Sequence, residues 1–439
     1  MRARIGEGHV RAIRGRAGPA TGCVQMRQEE RADDMAKTYD FTSIMQRKGH
    51  DAMAYDAVGN DPWGFAPKPP KEGFDFIPLW VADMNFPTCP SVTDAIIARA
   101  REPHFGYFSP SDEYYQAIIN WRRPGHAALT PAEIGYENGV HGFITSAMQV
   151  LTQPGDNILL HSPVYIGFRE DVEGLGRHSV YSPLYLDGDG VWRMDYEDMA
   201  RKIEDNGIRV AIFCSPHNPT GRVWEPEEIE RAMAVYEVHD VTVISDEIWA
   251  DLVYPGRVHT PTQSVSDWAH EHVVAAYAPS KTFNLAGLIG SYHIIYNEEL
   301  RERITKHGDD THYNSMNVLS MHALIGGYSA EGRAWLDQLN ETIEGNARFA
   351  YDFAKQNLPG VRVAMPQGTY MLWLDCTDYC ARTGRSIDEV IDAGWEVGVG
   401  WQDGRNFEGP CHIRVNLASP LTRIQEAFRR MQEHVFVGE

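Results

Sequence analysis

The sequence predicts an α/β fold with a largely parallel sheet in a large domain and a smaller α/β domain at the carboxyl end. Two observations carry this. Three strand-like runs, Val210 to Cys214, Val241 to Ser245 and His272 to Tyr277, recur at similar intervals with helical patterns such as Pro226 to Val238 between them. That alternation is the signature of parallel strands joined by helical crossovers. After a long helical tract, a second region from Val361 repeats the theme, with Tyr370 to Leu374 as a strand, a helix from Ile387, and Cys411 to Leu417 as another strand. At 439 residues the chain has room for two domains, or for one large domain with a smaller one appended.

Residues 1–37 are rich in Arg, Gly and Glu and show no apolar periodicity, so they are expected to be a disordered or non-native extension, with Met26 or Met35 as alternative starts. Residues 38–88 run through the proline-rich Phe65-Ala66-Pro67-Lys68-Pro69-Pro70 and are too short for a core of their own. They are expected to pack on the small domain. Within them, Ile77 to Pro87 reads as a short apolar strand that ends in polar residues.

The large domain is expected over 89–325 and the small one over 326–439. Ser91 starts a helix whose Val92, Ala95, Ile96 and Ala100 share a face. His104-Phe105-Gly106-Tyr107 is an aromatic turn in which Tyr107, taken alone, is a packing residue. Glu137-Asn138-Gly139-Val140-His141-Gly142 precedes a helical pattern through Ile144, Ala147, Met148 and Leu151. Unpaired N–H groups at such a helix start suit a phosphate, although a plain cap has the same sequence pattern. Further helical tracts run from Leu319 to Leu324 and from Trp335 to Lys355.

Composition narrows the function classes. Hydrophobic content of 43% and charged content of 23% are those of a globular chain, and no apolar run has the length of a membrane span. A net charge of -21 argues against nucleic acid or an anionic membrane as partner. The six cysteines lack metal-ligand spacing, which argues against a metal site or a disulfide framework and for a reduced, cytoplasmic setting.

Each of the three strand-like runs ends in a distinctive polar group. The first ends in Ser215-Pro216-His217-Asn218-Pro219-Thr220-Gly221, the second in Asp246-Glu247, and the third, past a proline, in Lys281. Open α/β sheets bind ligands beyond the carboxyl ends of their strands, so the three groups can meet in one crevice. Alone, Lys281 is either a surface lysine opening a helix or an amine held in a pocket to form a Schiff base. Amine, carboxylate and amide at successive strand ends make a binding constellation together. Arg414 alternates with apolar neighbours, and is either a surface-facing cation or one turned inward to hold an anion.

A Schiff-base lysine, a carboxylate for a ring nitrogen and a helix terminus for a phosphate are the requirements of pyridoxal phosphate. The motifs that bring them are ordered along the chain: Pro78 to Phe86, Ser162-Pro163-Val164-Tyr165, Ser215 to Gly221, Ser245-Asp246-Glu247-Ile248, Ser280 to Gly287, and Arg414 to Pro420. From about Asp40 to the carboxyl end the chain resembles the fold type I, aspartate aminotransferase superfamily. Within it the chain looks most like the cystathionine β-lyase type C-S lyases, the MalY/PatB group.

The resemblance implies a mostly parallel seven-stranded sheet in the large domain, with pyridoxal 5'-phosphate as cofactor. It makes Lys281 the Schiff-base lysine and the base for the substrate's α-proton, with Asp246 on the pyridine nitrogen. Tyr165 would stack on the ring, and Asn218 would reach its phenolic oxygen. The amides of Val140 and His141, with Ser280, would hold the phosphate, joined by Tyr107 from the other subunit of an obligate homodimer. Arg414 would clamp the substrate carboxylate, helped by the Ala82 backbone N–H. Three departures stand out. Trp249 takes the place of a tyrosine near the phenolic oxygen, Ala278 that of a phosphate-binding serine, and Asn85 that of an aspartate. His141 either compensates at the phosphate or is merely packed.

The activity implied is α,β-elimination on L-cystathionine or related cysteine S-conjugates, which yields a thiol, pyruvate and ammonia. An aminotransferase would use the same residues, and a regulatory or binding protein on the same fold is the third reading.

Overall fold

Val210–Cys214 shows how the sheet is built: Val210, Ile212 and Cys214 face one apolar layer, and Ala211 and Phe213 the other. A strand buried on both faces has no polar side to alternate with, which is why these runs are continuously apolar. The computed structural model describes residues 37–61, 64–126 and 128–437. The expectations for residues 1–36, including the alternative starts, lie outside the described residues.

The labelled strands are β1 (Ile77–Pro78), β2 (Ile134–Glu137), β3 (Asn157–Ser162), β4 (His178–Pro183), β5 (Val210–Cys214), β6 (Thr242–Asp246), β7 (Val273–Tyr277), β8 (Ser291–Ile294), β9 (Arg362–Val363), β10 (Met371–Asp375), β11 (Val399–Gly400), β12 (Gln402–Asp403) and β13 (His412–Asn416). The main sheet has seven strands in the order β2-β8-β7-β6-β5-β3-β4. Only β8 runs against the rest, paired antiparallel with β2 and β7. This is the largely parallel seven-stranded α/β sheet that the sequence and its resemblance imply.

Helices cover both faces. Val140–Leu151, Ile166–Gly174 and Glu298–Thr311 pack on one, through residues such as Phe143, Phe168 and Ile304. Tyr196–Asn206 and Pro226–Val238 cover the other, through Met199, Ile203, Ile229 and Met233. Each such side chain, fully buried, contributes about 1.5–3 kcal/mol. The in-register pairs Cys214↔Asp246 and Asp246↔Ala276 bring the carboxyl ends of β5, β6 and β7 to one level.

A second sheet, ordered β9-β10-β13-β12, lies in the carboxyl-terminal region, and β1 pairs in parallel with β11. The strand expected over Ile77 to Pro87 stops at Pro78. The reason is its hydrogen bonding. Leu79 still bonds through its backbone to Gly400 and Asn416, but beyond it the carbonyls are met by side chains: Trp80 by Arg414, Val81 and Asp83 by Asn416, and Ala82 by Tyr370 and Lys281. The segment is a strap held crosswise, without a ladder.

Behind the sheet, Arg122 is buried with Asp251 at 2.9 Å, and it also donates to the hydroxyls of Tyr292 and Tyr328. Removing one partner of a buried pair leaves the other charge desolvated. Asp251→Ala is therefore expected to lower stability by about 3–5 kcal/mol, read as a lower denaturant midpoint, whereas a change at the exposed Lys306–Asp310 pair should move it by less than about 1 kcal/mol.

Candidate active site

Strand β7 is buried throughout and is followed by Ala278, whose extended backbone caps one helical turn, Pro279–Thr282. Proline suits the first helical position because that N–H would have no partner anyway. Thr282 donates to Asp251 at 2.8 Å and Phe283 is fully buried, so the turn is anchored immediately after Lys281. Its amine projects into a cavity of about 180 Å³ beyond the carboxyl ends of the strands.

Nine residues expected at the site line this cavity: Ala82, Val140, His141, Tyr165, Asn218, Asp246, Trp249, Ser280 and Lys281. Lys281 Nζ donates to the Ala82 carbonyl at 2.9 Å and lies 5.8 Å from the centre of the Trp249 ring. Burial lowers the amine to about 8, opposed by the charges of Asp83 and Asp246 and reinforced by Arg414. Burial raises Asp246 to about 6, opposed by the Ile248 N–H and by the charges of His141 and Lys281. At neutral pH this carboxyl is still mostly ionised. The adjacent Glu247 turns elsewhere, to His259 and Tyr277 at 2.6 Å each, and despite its burial these partners hold it near 2.

The helix Val140–Leu151 opens at Gly139, whose φ of 85° is easily reached only without a Cβ. Phe143 makes the first bond back to Gly139, so the first-turn amides of Val140 and His141 have no acceptor one turn earlier. The His141 ring is engaged on both sides, by Asp171 on Nδ1 at 2.7 Å and by the Tyr165 hydroxyl on Nε2 at 3.2 Å. Ala278 and Ser280 also line this cavity.

Arg414 is buried behind Asn218, outside the lining of the cavity. It donates to Asn218 Oδ1 at 3.2 Å and to the Trp80 carbonyl at 2.8 Å, and its Nε has no partner. No carboxylate pairs with it among the described residues, and burial lowers the guanidinium to about 10. A buried cation with a spare donor is a seat for an anion. Tyr107 stands apart from the gathering: unlike Arg414, which bonds to the lining residue Asn218, it is fully exposed on its loop and does not line the cavity.

Several residues at the site were not anticipated. Asn284, at φ 59°, clamps Met84 with both side-chain polar atoms at 3.0 Å. Arg47 pairs with Asp83 and donates to Asn85 Oδ1 at 2.8 Å, while the Asn85 amide donates to the Pro78 carbonyl. An amide at 85 can serve both neighbours, which gives the Asn85 departure a structural role. Asn284 lies inside a motif already singled out, but Asp171 carries no local signal, since 30 residues separate it from His141.

The profile of the family "Aminotransferase class I and II" matches residues 75–431. The chain belongs to that family. Two relatives place it more finely. Cystathionine beta-lyase PatB of Bacillus subtilis is 34% identical over 360 residues, covering 82% of this chain and 92% of PatB. Protein MalY of Escherichia coli is 29% identical over 401 residues, covering 88% and 96%. Among solved structures, cystalysin from Treponema denticola, which contains a pyridoxal 5'-phosphate cofactor, superposes with a TM-score of 0.82 at 29% identity, covering 90% of this chain and 98% of cystalysin. For a family member of this kind the arrangement supplies an amine, a carboxylate and helix-start amides in one cavity, with a buried guanidinium bonded to Asn218 at its edge.

The depressed amine is directly testable. An ordinary lysine loses its proton near pH 10.4, so acylation of Lys281 in the cofactor-free protein, followed by peptide mass spectrometry, is expected to be half-maximal near pH 8. A midpoint with the ordinary surface lysines would mean that the amine is hydrated.

Proposed function

We propose that this protein is a pyridoxal 5'-phosphate-dependent C-S β-lyase. It would eliminate a thiol from L-cystathionine or a related cysteine S-conjugate and leave pyruvate and ammonia. The observation that carries the reading is the cavity in which the depressed Lys281 amine, Asp246 and Asn218 meet, with Arg414 bonded to Asn218 behind it. The donor set fits the cofactor: open amides of Val140 and His141 with Ser280 for a phosphate, Asp246 for a ring nitrogen, and Tyr165 as an aromatic wall. The lyase PatB at 34% identity favours elimination over amino transfer.

The cofactor, when bound, supplies an electron sink for the pair left at the substrate's α-carbon. The chain supplies the rest. Lys281, which burial makes easier to deprotonate than an ordinary lysine, takes the α-proton. Asp246 holds a proton on the ring nitrogen, which its ionised state allows. Arg414 orients the substrate carboxylate through a fork that lysine cannot reproduce. Asn218, already bonded to Arg414, couples the ring's position to that of the carboxylate. Trp249 gives the wall an indole edge at the place expected for a tyrosine hydroxyl.

Tyr107 is assigned to the active site of a second copy in a homodimer. Its exposed position beside Phe105, itself 62% exposed, supports this: an aromatic pair in water is a ready-made contact. Among the described residues Cys89, Cys214, Cys376, Cys380 and Cys411 are free, which supports a reducing cytoplasmic setting.

With L-cystathionine, the holoenzyme is expected to release thiol and pyruvate in equal amounts while its visible absorbance band persists. Loss of the band without thiol, and its return on adding a 2-keto acid, would establish an aminotransferase instead. Lys281→Ala should abolish both products. Tyr107→Ala should weaken cofactor retention, measured by dialysis, while a dimer persists in sedimentation; unchanged retention would remove Tyr107 from the site.

A further inference from the structure

We propose that Arg47 is a positioning residue for Lys281: it holds the carboxylate of Asp83 away from the amine, so that the amine meets a neutral carbonyl rather than a charged partner. The assignment rests on the role given to Lys281 above. Lys281 Nζ donates to the Ala82 carbonyl at 2.9 Å, and the next residue along the strap is Asp83. An acid so placed is a ready ion partner for a lysine. Here Arg47 takes it instead, pairing with one carboxylate oxygen through Nη2 and donating to the other from Nη1 at 3.4 Å.

The arginine is itself held in place. Its Nη1 also donates to Asn85 Oδ1 at 2.8 Å, and the Asn85 amide donates to the Pro78 carbonyl at 3.3 Å, so one guanidinium spans two residues of the strap. A planar fork of fixed donors makes that span possible. On the other side Asn416 fixes the Asp83 carbonyl at 2.6 Å. With its backbone pinned, the Asp83 side chain has two cations to choose between, Arg47 and Lys281. The pair is shielded from water, with 13% of the Arg47 side chain and 18% of the Asp83 side chain exposed, so it is screened less than a surface pair. Asn85 suits this arrangement: its amide draws Arg47 without adding a second negative charge, whereas an aspartate there would compete with Asp83 for the guanidinium.

Charge explains why the separation matters. Burial drives the Lys281 amine down to about 8, and among the charges around it Asp83 acts most strongly, in the direction that keeps the proton on. The other charged groups facing the amine are Arg414 from β13, Asp246 from β6 and His141 from the helix Val140–Leu151. Those facing Asp83 are Arg47, Lys281, Tyr55 and Tyr370. A carboxylate brought into contact with a lysine raises its midpoint by about 1–3 pH units. Such a contact would return Lys281 to the range of an ordinary lysine and leave it protonated when a base is needed.

Shifts of opposite sign test the assignment. In the full-length, cofactor-free protein the acylation midpoint of Lys281 should rise by at least about one pH unit in Arg47→Ala, because the released carboxylate turns to the amine. It should fall in Asp83→Asn. The double variant should return to the unaltered value or below it, and Arg47→Lys, which keeps a cation for Asp83, should rise by less than Arg47→Ala. In the holoenzyme the pH midpoint of the visible absorbance band should move with the same signs, which reads the loaded site without a turnover.

A purely structural role for the pair gives a different pattern. A strap loosened by its loss would admit water, and both single variants would then raise the midpoint toward that of a surface lysine. Shifts of the same sign, or an Arg47→Ala midpoint that Asp83→Asn does not bring back, would overturn the assignment. Asp83→Asn alone carries the deciding sign where Arg47→Ala does not fold. Failure of the unaltered holoenzyme to release thiol would overturn the lyase reading, and it would leave these midpoints in place, so the two failures are distinct.

Discussion

Four consecutive carbonyls, those of Trp80, Val81, Ala82 and Asp83, accept hydrogen bonds from side chains. Buried backbone groups need partners, and a strap with no neighbouring strand must find them elsewhere. Here they come from Arg414 and Asn416 on β13, from Tyr370 just before β10, and from Lys281. The site therefore depends on one short segment that ties the carboxyl-terminal sheet to the end of β7. Because Ala82 also accepts from Tyr370, its carbonyl keeps a partner when Lys281 turns to a ligand.

The same contacts set the electrostatics. Lys281, half-buried at the cavity, and Arg414, buried, are cations whose protein partners are neutral oxygens rather than carboxylates. That arrangement is costly, and both groups are depressed by burial as a result. By contrast, Arg122 and Glu247, buried nearby, are saturated with partners and serve the framework. Incomplete satisfaction separates the groups that wait for a ligand from those that hold the fold.

Much was legible beforehand where one residue type has few other reasons to be present. Lys281 after a buried strand, Asp246 at the next strand end and Asn218 at the third could be placed because strand ends in a parallel sheet share a level, as the register of Cys214, Asp246 and Ala276 shows. By sequence the strap reads as a longer strand because its apolar residues carry strand propensity, while its actual bonding partners lie hundreds of residues away.

The amino-acid sequence by itself determined the alternation of strands and helices, the apolar faces of the sheet and the chemical types at the strand ends, since these follow from local periodicity and short-range turn chemistry. Only the tertiary structure decided which of two adjacent acids faces the cavity, that Arg414 points inward with a donor to spare, and that Asp171 reaches His141 past Gly167. Those outcomes depend on desolvation and on contacts between distant segments, which exist only once the chain has packed.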